Sequence, residues 1–225
     1  YKDHYFSKGK AVEEAEFVFI EGNNLKERWS RLKEHEVFNI VELGFGSAIN
    51  FLTTVKNWVE YKKTNAWLHY FSIENNPLAF EDIKQTLEGH DELDTFSRKL
   101  LENYPINCKG LQRIEFLEEN VSLTLSFEEV ISCLKDLDPK LVSFDACFHD
   151  GFAPQRNKEM WGTEVFHYLS KLSHDKTTYA TFSSSRIVSE GLNQNSFQVQ
   201  KDKGFGNKRY MTKATWSKKS NKKNN

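Results

Sequence analysis

The chain has 225 residues, of which 38% are hydrophobic and 28% are charged, a length and composition typical of one globular domain. No run of the sequence approaches the ~18 consecutive apolar residues of a membrane span, so we expect a cytoplasmic protein without a membrane partner. The three cysteines, Cys108, Cys133 and Cys147, are odd in number and lack the spacing of metal ligands, which favours free thiols and no metal site.

The charge is unevenly distributed. The net charge is −1, yet residues 201–225 contain nine Lys or Arg and one Asp, so the rest of the chain is acidic. A basic C-terminal end can contact phosphates, although it can equally be a solvated surface. For residues 218–225 alone we predict a basic, disordered tail.

Residues 1–36 precede the first core strand, and we predict that they form an N-terminal extension packed on the core. Residues 16–20 are rich in aromatic and β-branched side chains and predict a short strand, followed by a turn at residues 21–24. Residues 25–32 show the apolar spacing of a short amphipathic helix.

Residues 38–50 predict a buried strand that runs into a glycine turn and then a helix, which continues to Tyr61. Gly44 and Gly46 let the backbone turn sharply and approach a ligand. This arrangement is typical of nucleotide-binding α/β sheets, although Gly-x-Gly alone also occurs in plain connections. The carboxylate of Glu42 would repel a pyrophosphate but could face a sulfonium or ammonium. The pattern therefore favours S-adenosylmethionine over NAD.

A second core strand is predicted at residues 68–74, ending in Glu74. An acid at this strand end accepts hydrogen bonds from ribose hydroxyls in nucleotide-binding α/β folds. Gly46 and Glu74 lie 28 residues apart, more than the ~20 of the dinucleotide motif, and a long helix through Tyr61 accounts for the difference. The alternative is a surface acid at a strand end.

The middle of the chain predicts helices at residues 77–87 and 91–104, strands at 113–117 and 121–125, and a helix at 127–134. Two acids, Glu128 and Glu129, open this last helix. Glu129 could bind the exocyclic amine of an adenine, or both acids could be favoured there only by the helix dipole.

Residues 141–154 predict an apolar strand that ends in Asp-Gly-Phe-Ala-Pro, at the sheet edge where ligands bind in open α/β folds. Asp150 would supply a carboxylate, Gly151 a close backbone approach and Phe152 an aromatic face, while Pro154 would stiffen the loop. Such a loop can hold an amine and stack a base. The alternative is a polar loop anchored by one phenylalanine.

The remaining segments predict a helix at residues 157–172, a strand at 177–182, a helix at 186–193 and two strands at 197–200 and 210–216 joined by a glycine turn. A terminal antiparallel hairpin differs from a plain Rossmann dehydrogenase. It is typical of class I methyltransferases.

Four motifs in order resemble the methyltransferase half of the MnmC tRNA-modification enzymes: FVFIEGN at 17–23, ELGFGxxxNFL at 42–52, DGFAPxxNxxMW at 150–161 and KGFGxKR at 203–209. The resemblance implies an α/β, Rossmann-like class I fold over residues 37–217, with a mostly parallel seven-stranded sheet and a terminal antiparallel hairpin. It also implies transfer of a methyl group from S-adenosylmethionine to 5-aminomethyl-(2-thio)uridine at tRNA wobble position 34.

The resemblance assigns roles to matching positions. Asp150 is the catalytic residue, the carboxylate expected at the acceptor amine. Cofactor binding is expected of Glu42, Gly44, Gly46, Asn50, Glu74 and Asp150. It is also expected of Glu129, from its position before the helix and not from a match to the family pattern. Substrate binding falls to Gly151, Phe152, Lys208 and Arg209, with the last two on the phosphates of the anticodon stem-loop. Bifunctional members add a flavin-dependent oxidase domain, which nothing after Trp216 could form, so we expect no flavin and no metal here but a possible oxidase domain or partner.

Several positions depart from the family pattern. Ala48 stands at the third glycine, Glu128-Glu129 replaces a Gly-Asp pair, His149 replaces a hydrophobic residue, and residues 175–177 replace glycines. Two alternatives stay open: a class I methyltransferase that acts on another amine acceptor, and a catalytically inactive RNA-binding relative. A NAD-linked oxidoreductase is disfavoured by Glu42 and the missing third glycine.

Overall fold

The computed structural model describes residues 10–106, 109–152 and 157–218. Cys108, Ala153, Pro154 and residues 219–225 of the predicted tail lie outside these ranges. The strands are β1 (Val37–Leu43), β2 (Trp67–Ile73), β3 (Gly110–Phe116), β4 (Val121–Phe127), β5 (Phe144–His149), β6 (Ser173–Thr181), β7 (Phe197–Lys203) and β8 (Tyr210–Trp216). The α-helices are α1 (Ala11–Ala15), α2 (Leu25–Trp29), α3 (Ile49–Tyr61), α4 (Phe80–Leu87), α5 (Asp94–Asn103), α6 (Val130–Asp136), α7 (Thr163–Lys171) and α8 (Arg186–Gln194).

These strands form one eight-stranded sheet in the order β3-β4-β2-β1-β5-β6-β8-β7. The five strands from β4 to β6 in this order run parallel, and β8 runs antiparallel to β6 and β7. The predicted terminal hairpin is therefore confirmed. The predicted count of seven strands is wrong, because β3 folds back through a turn at Leu117–Glu119 and pairs antiparallel with β4 at the opposite edge.

Both faces of the sheet are covered, which explains why β1 is buried along most of its length. Ile40 packs on one face with Phe51, Trp58 and the N-terminal helices. Val41 packs on the other face with helices α6 and α7. A parallel strand covered on both sides needs a continuous apolar run rather than an alternating one, as residues 38–43 supply.

The predicted strand at residues 16–20 is wrong. These residues form a π-helix, Glu16–Glu21, that continues directly from α1. Val18, Phe19 and Ile20 are buried, and the ring of Phe19 stacks on Phe148 of β5 with 5.0 Å between centroids. Burial against α3 and the sheet thus overrides the strand preference of aromatic and β-branched residues.

Three predicted helices begin later than expected, one of them at Val130 instead of residue 127. The helix predicted from Pro77 begins at Phe80, and the one predicted from Asn157 begins at Thr163. Ala79 and Gly162, which precede these helices, are extended. Within the described ranges, the structure contains no helix with the length and apolar character that a bilayer span requires.

Candidate cofactor and acceptor site

A cavity of about 350 Å³ opens at the carboxyl ends of β1, β2 and β5. Its lining comes from the glycine turn after β1, the segment after β2, the loop after β5, the N-terminal helix and the turn of the final hairpin. Ligands of open α/β sheets bind at this edge. The predicted residues Gly44, Gly46, Asn50, Glu74, Asp150, Gly151, Phe152 and Lys208 all line it.

The two glycines of the turn serve different purposes. Gly44 has a φ of +98°, and a Cβ there would lie 2.1 Å from the backbone oxygen of Asp150. Gly46 has a φ of +50°, and a Cβ there would meet only open space. Gly44 therefore lets β1 pack against the predicted acceptor loop, which begins at Asp150 after β5, while Gly46 leaves room inside the cavity.

Ala48, at the third-glycine position, lies in the left-handed region with a φ of +69°. It directly precedes helix α3 and is fully buried. The backbone keeps the conformation that glycine adopts freely, so this departure from the family pattern does not change the path of the turn.

Glu74 is held by backbone donors at the end of β2. One carboxylate oxygen accepts a hydrogen bond from the Gly46 amide at 3.1 Å, and the other accepts one from the Asn76 amide at 2.9 Å. These bonds fix the carboxylate beside the glycine turn. It can accept hydrogen bonds from hydroxyl groups there.

Asn50 links two carboxyl groups. Its Nδ2 donates to Glu42 Oε1 at 3.0 Å and to Asp150 Oδ2 at 2.7 Å. The Ser72 hydroxyl donates to the other oxygen of Glu42 at 2.7 Å. Glu42 is fully buried, so it lies behind Asn50 and not directly on the cavity, where the sequence led us to expect it.

Burial controls the protonation of both carboxyl groups. It raises the pKa of Glu42 to about 8, against the lowering effect of the hydrogen bonds from Ser72 and Asn50. It also raises the pKa of Asp150 to about 6, opposed by the Asn50 hydrogen bond and by the charge of Lys208, and assisted by the charges of Glu14 and Glu74. Asp150 thus has a pKa suited to exchanging protons near neutral pH.

The acceptor loop is tightly packed where it leaves β5. A Cβ at Gly151 would lie 1.9 Å from the sulfur of Met160, and the Trp161 indole donates to the Phe152 carbonyl at 2.8 Å. The Phe152 side chain is 40% exposed and lines the cavity. This packing presents an aromatic ring beside Asp150.

His149, which replaces a hydrophobic residue of the family pattern, is fully buried. Its ring stacks on Trp161 with 3.8 Å between centroids, and its Nδ1 shares a hydrogen bond with the Tyr179 hydroxyl at 2.8 Å. Burial lowers the pKa of His149 to about 3. The ring is therefore neutral and packs as an aromatic side chain.

Besides Glu42, two predicted residues lie outside this cavity. Glu129 lines an adjoining cavity of about 340 Å³ that also contacts Glu74, and its carboxylate accepts a hydrogen bond from Asn75 at 2.9 Å. Arg209 is exposed and lies over the ring of Tyr210, 5.1 Å from its centroid. Both residues were predicted from the sequence to belong to the site, but the sequence did not show that they lie outside the main cavity.

The N-terminal helix forms a wall of the site that was not predicted from the sequence. Ala11, Glu14, Ala15, Val18 and Phe19 all line the cavity. Glu14 forms an ion pair with Lys208 at 2.6 Å. The apolar residues at 11, 15, 18 and 19 have helical spacing, a signal hidden by the strand-like composition of residues 16–20.

The cavity fits the expected cofactor. Among the described residues that line it, three carry carboxylates (Glu14, Glu74 and Asp150) and one carries a positive charge (Lys208). An acidic cavity complements a sulfonium and an ammonium. The space above Gly46 lets a ligand approach the backbone.

The comparisons with known proteins agree with this geometry. Residues 91–217 match a family described as S-adenosyl-L-methionine-dependent methyltransferase. Over 97% of its length, the chain is 37% identical to the tRNA 5-methylaminomethyl-2-thiouridine biosynthesis bifunctional protein MnmC of Legionella pneumophila (strain Lens), and it covers 34% of that protein. The MnmC protein of Hahella chejuensis is 39% identical over 94% of this chain, with 33% of its own length covered. The chain thus spans about a third of these curated relatives.

Solved structures show the same fold. MnmC2 from Aquifex aeolicus superimposes with a TM-score of 0.71 at 24% identity, covering 91% of this chain and 60% of that one. Streptomyces venezuelae DesVI has a TM-score of 0.52 at 8% identity, covering 94% and 93%. The class I fold and the resemblance to the MnmC methyltransferase part are thereby confirmed, and the chain belongs to the S-adenosyl-L-methionine-dependent methyltransferase family.

Proposed function

We propose that this chain transfers a methyl group from S-adenosylmethionine to the aminomethyl nitrogen of 5-aminomethyl-(2-thio)uridine at wobble position 34 of tRNA, giving 5-methylaminomethyl-(2-thio)uridine. The observation that carries the proposal is Asp150. It is a carboxylate with a raised pKa, held by Asn50 beside Phe152 on a cavity of the methyltransferase family. The names of the MnmC relatives supply the substrate.

The bound cofactor supplies an electrophilic methyl group on a sulfonium. Glu74 would accept hydrogen bonds from the ribose hydroxyls of the cofactor. The turn at Gly44 and Gly46 would hold the part of the cofactor next to the ribose. Glu129 would contact the adenine from the adjoining cavity. Asn50 would position the methionine end together with Asp150, while Glu42 keeps Asn50 in place through the 3.0 Å hydrogen bond.

Asp150 acts on the acceptor nitrogen. An ammonium has no lone pair, so the amine must be neutral when it attacks. The Asp150 carboxylate would accept a hydrogen bond from the amine, direct its lone pair into the cavity and help to take up the proton that the product nitrogen releases. Fixed orientation of the two reactants supplies much of the remaining rate.

The uridine and the tRNA backbone would contact different residues. Phe152 would form one face of the pocket for a uracil that has left the anticodon stack. Gly151 would support it by letting the loop pack against Met160. Lys208 and Arg209 would contact phosphates of the anticodon stem-loop without reading sequence. We also propose that residues 37–217 form the catalytic domain, and that an oxidase domain or partner supplies the aminomethyl substrate.

The test is methyl transfer from labelled S-adenosylmethionine to tRNA that carries 5-aminomethyluridine, with Asp150→Ala as the variant. We expect transfer by the wild-type chain and loss of transfer in the variant. Cofactor binding by the variant should be weaker but still measurable, because Glu74 and the glycine turn remain. Cofactor binding without transfer to this tRNA would point to another amine acceptor. tRNA binding without cofactor binding would favour an inactive RNA-binding relative.

A further inference from the structure

The three carboxylates on the cavity are not held in the same way. Glu74 accepts from two backbone amides, and Asp150 accepts from the side chain of Asn50. Glu14, in contrast, is paired with the ammonium group of Lys208. The structure therefore shows an alkylammonium bound to a carboxylate on the wall of the cavity.

The pair joins two distant parts of the chain. Glu14 lies on α1 with 16% of its side chain exposed, and Lys208 lies in the turn before β8 with 49% exposed. The Lys208 ammonium also lies 4.7 Å from the centroid of the Phe182 ring. A cation between a carboxylate and an aromatic face occupies a site with the features that recognise organic ammonium ions.

We propose that Glu14 is a second acceptor-site carboxylate, which binds the ammonium form of the substrate amine as it enters, and that Lys208 occupies this position until the substrate displaces it. This inference rests on the proposed function, because it names the group that selects an aminomethyl uridine over an unmodified one. Lys208, once released, is free to contact a phosphate at the mouth of the cavity.

The electrostatics of Asp150 are consistent with this role. Asp150 accepts a hydrogen bond from Asn50 on α3. The charged and titratable groups that interact electrostatically with it are Glu42 on β1, Glu74 after β2, Glu14 on α1 and Lys208 on the hairpin turn. The charge of Glu14 raises the pKa of Asp150, and the charge of Lys208 lowers it. An ammonium that passes from Glu14 to Asp150 therefore moves between two groups that already influence each other. It must release one proton to solvent before its nitrogen can attack, which leaves the Asp150 carboxylate available for the proton that the product releases.

The experiment compares Glu14→Gln with Glu16→Gln. Glu16 lies in the adjoining π-helix and forms an ion pair with Lys26 away from the cavity. For each protein we would measure the Kd for tRNA that carries 5-aminomethyluridine at position 34 and for tRNA with unmodified uridine there, and then the kinetics of methyl transfer. The pH profile of kcat/KM and the Kd for S-adenosylmethionine complete the measurements.

Glu14→Gln should reduce the preference for the amine-bearing tRNA about tenfold, the effect of losing one charge-assisted hydrogen bond. The change should appear in KM more than in kcat. The acidic limb of kcat/KM should move to lower pH, because a negative charge near Asp150 is lost. Affinity for unmodified tRNA should not fall, because Lys208 has lost its ion pair with Glu14 and is free to contact a phosphate. Glu16→Gln should match the wild type throughout.

Three results would overturn the inference. Weaker binding of S-adenosylmethionine by Glu14→Gln, with the tRNA preference intact, would assign Glu14 to the cofactor. Wild-type kinetics and preference in Glu14→Gln would leave Glu14 without a role in the site. No transfer by the wild-type chain would overturn the proposed function and this inference together, whereas the first two results concern Glu14 alone.

Discussion

The cavity has two walls that are built differently. The sheet wall, formed by the residues that follow β1, β2 and β5, holds Asp150 and Glu74 through hydrogen bonds from Asn50 and backbone amides. The helix wall, formed by residues 11–19 and Lys208, is held at the cavity by apolar contacts and the Glu14–Lys208 ion pair. The sheet wall keeps the reacting groups fixed, and the helix wall carries the contact that a substrate can replace.

The largest effect is expected where the sheet wall meets the acceptor nitrogen. Asp150→Asn keeps an oxygen for the Asn50 hydrogen bond but cannot take a proton, so we expect kcat to fall about 10²–10⁴-fold, the range for a positioned acid or base. Wild-type transfer should increase with pH as the carboxylate ionises, because the pKa of Asp150 is about 6. Single-turnover transfer measured across pH should show that this acidic limb is missing from the variant. An unchanged limb would place the titrating group elsewhere.

A second change tests the backbone of the sheet wall. Gly44→Ala puts a Cβ 2.1 Å from the Asp150 carbonyl oxygen at a φ of +98°, so we expect a loss of about 3 kcal/mol or more in the free energy of unfolding. Gly46→Ala is the matched control, because the added Cβ meets no atom. We expect this variant to lose only about 1 kcal/mol in the free energy of unfolding, the cost of the left-handed backbone conformation for alanine. Urea unfolding of both variants measures the difference. Equal losses would contradict the close approach at Gly44.

The sheet wall could be located from the sequence because it follows from strand ends. The apolar run before Glu42 and the one before Asp150 each predict a buried strand, and parallel strands bring their carboxyl ends to one edge. The position of Glu42 behind Asn50 could not be predicted from the strand ends. It depends on Ser72 of the neighbouring strand and Asn50 of the following helix, which converge only in the folded sheet.

The helix wall could not be predicted for a different reason. Local preference at residues 16–20 favours a strand, and only burial against α3 and β5 makes the segment helical. The contact between Glu14 and Lys208 joins residues 194 positions apart. The sequence marked Lys208 as basic, but its partner depends on how the first helix and the last hairpin meet.

Glu42 allows the interior of the sheet wall to be tested through pH. The folded state raises the pKa of Glu42 from 4.5 to about 8. Between these values the unfolded carboxyl group loses its proton while the folded one keeps it, so stability should fall as pH rises through this window. Glu42→Gln should remove most of that fall, roughly 1–3 kcal/mol near pH 8.

Chemical unfolding of wild type and Glu42→Gln at several pH values measures this effect. Asp150 also lowers the stability as pH rises, by a smaller amount, because burial raises its pKa as well. This smaller fall in stability should remain in Glu42→Gln. Parallel pH curves for the two proteins would mean that Glu42 is ionised in the folded state, with its charge compensated by other groups.

The smallest effect is expected on the helix wall. Lys208 is about half exposed, so Lys208→Gln should change the free energy of unfolding by less than about 1 kcal/mol.

The loss of Lys208 should reduce the slope of log Kd for tRNA against log salt by about one, as expected for one lost phosphate contact. Lys26→Gln is the control, because Lys26 forms another ion pair of the N-terminal helices, with Glu16, away from the cavity. An unchanged slope in Lys208→Gln would show that this ammonium stays on Glu14 when tRNA binds. The preference for the amine-bearing tRNA should be retained in Lys208→Gln, because Glu14 is still present to bind the substrate ammonium. Loss of that preference together with the lower slope would show that Glu14 does not select the amine by itself.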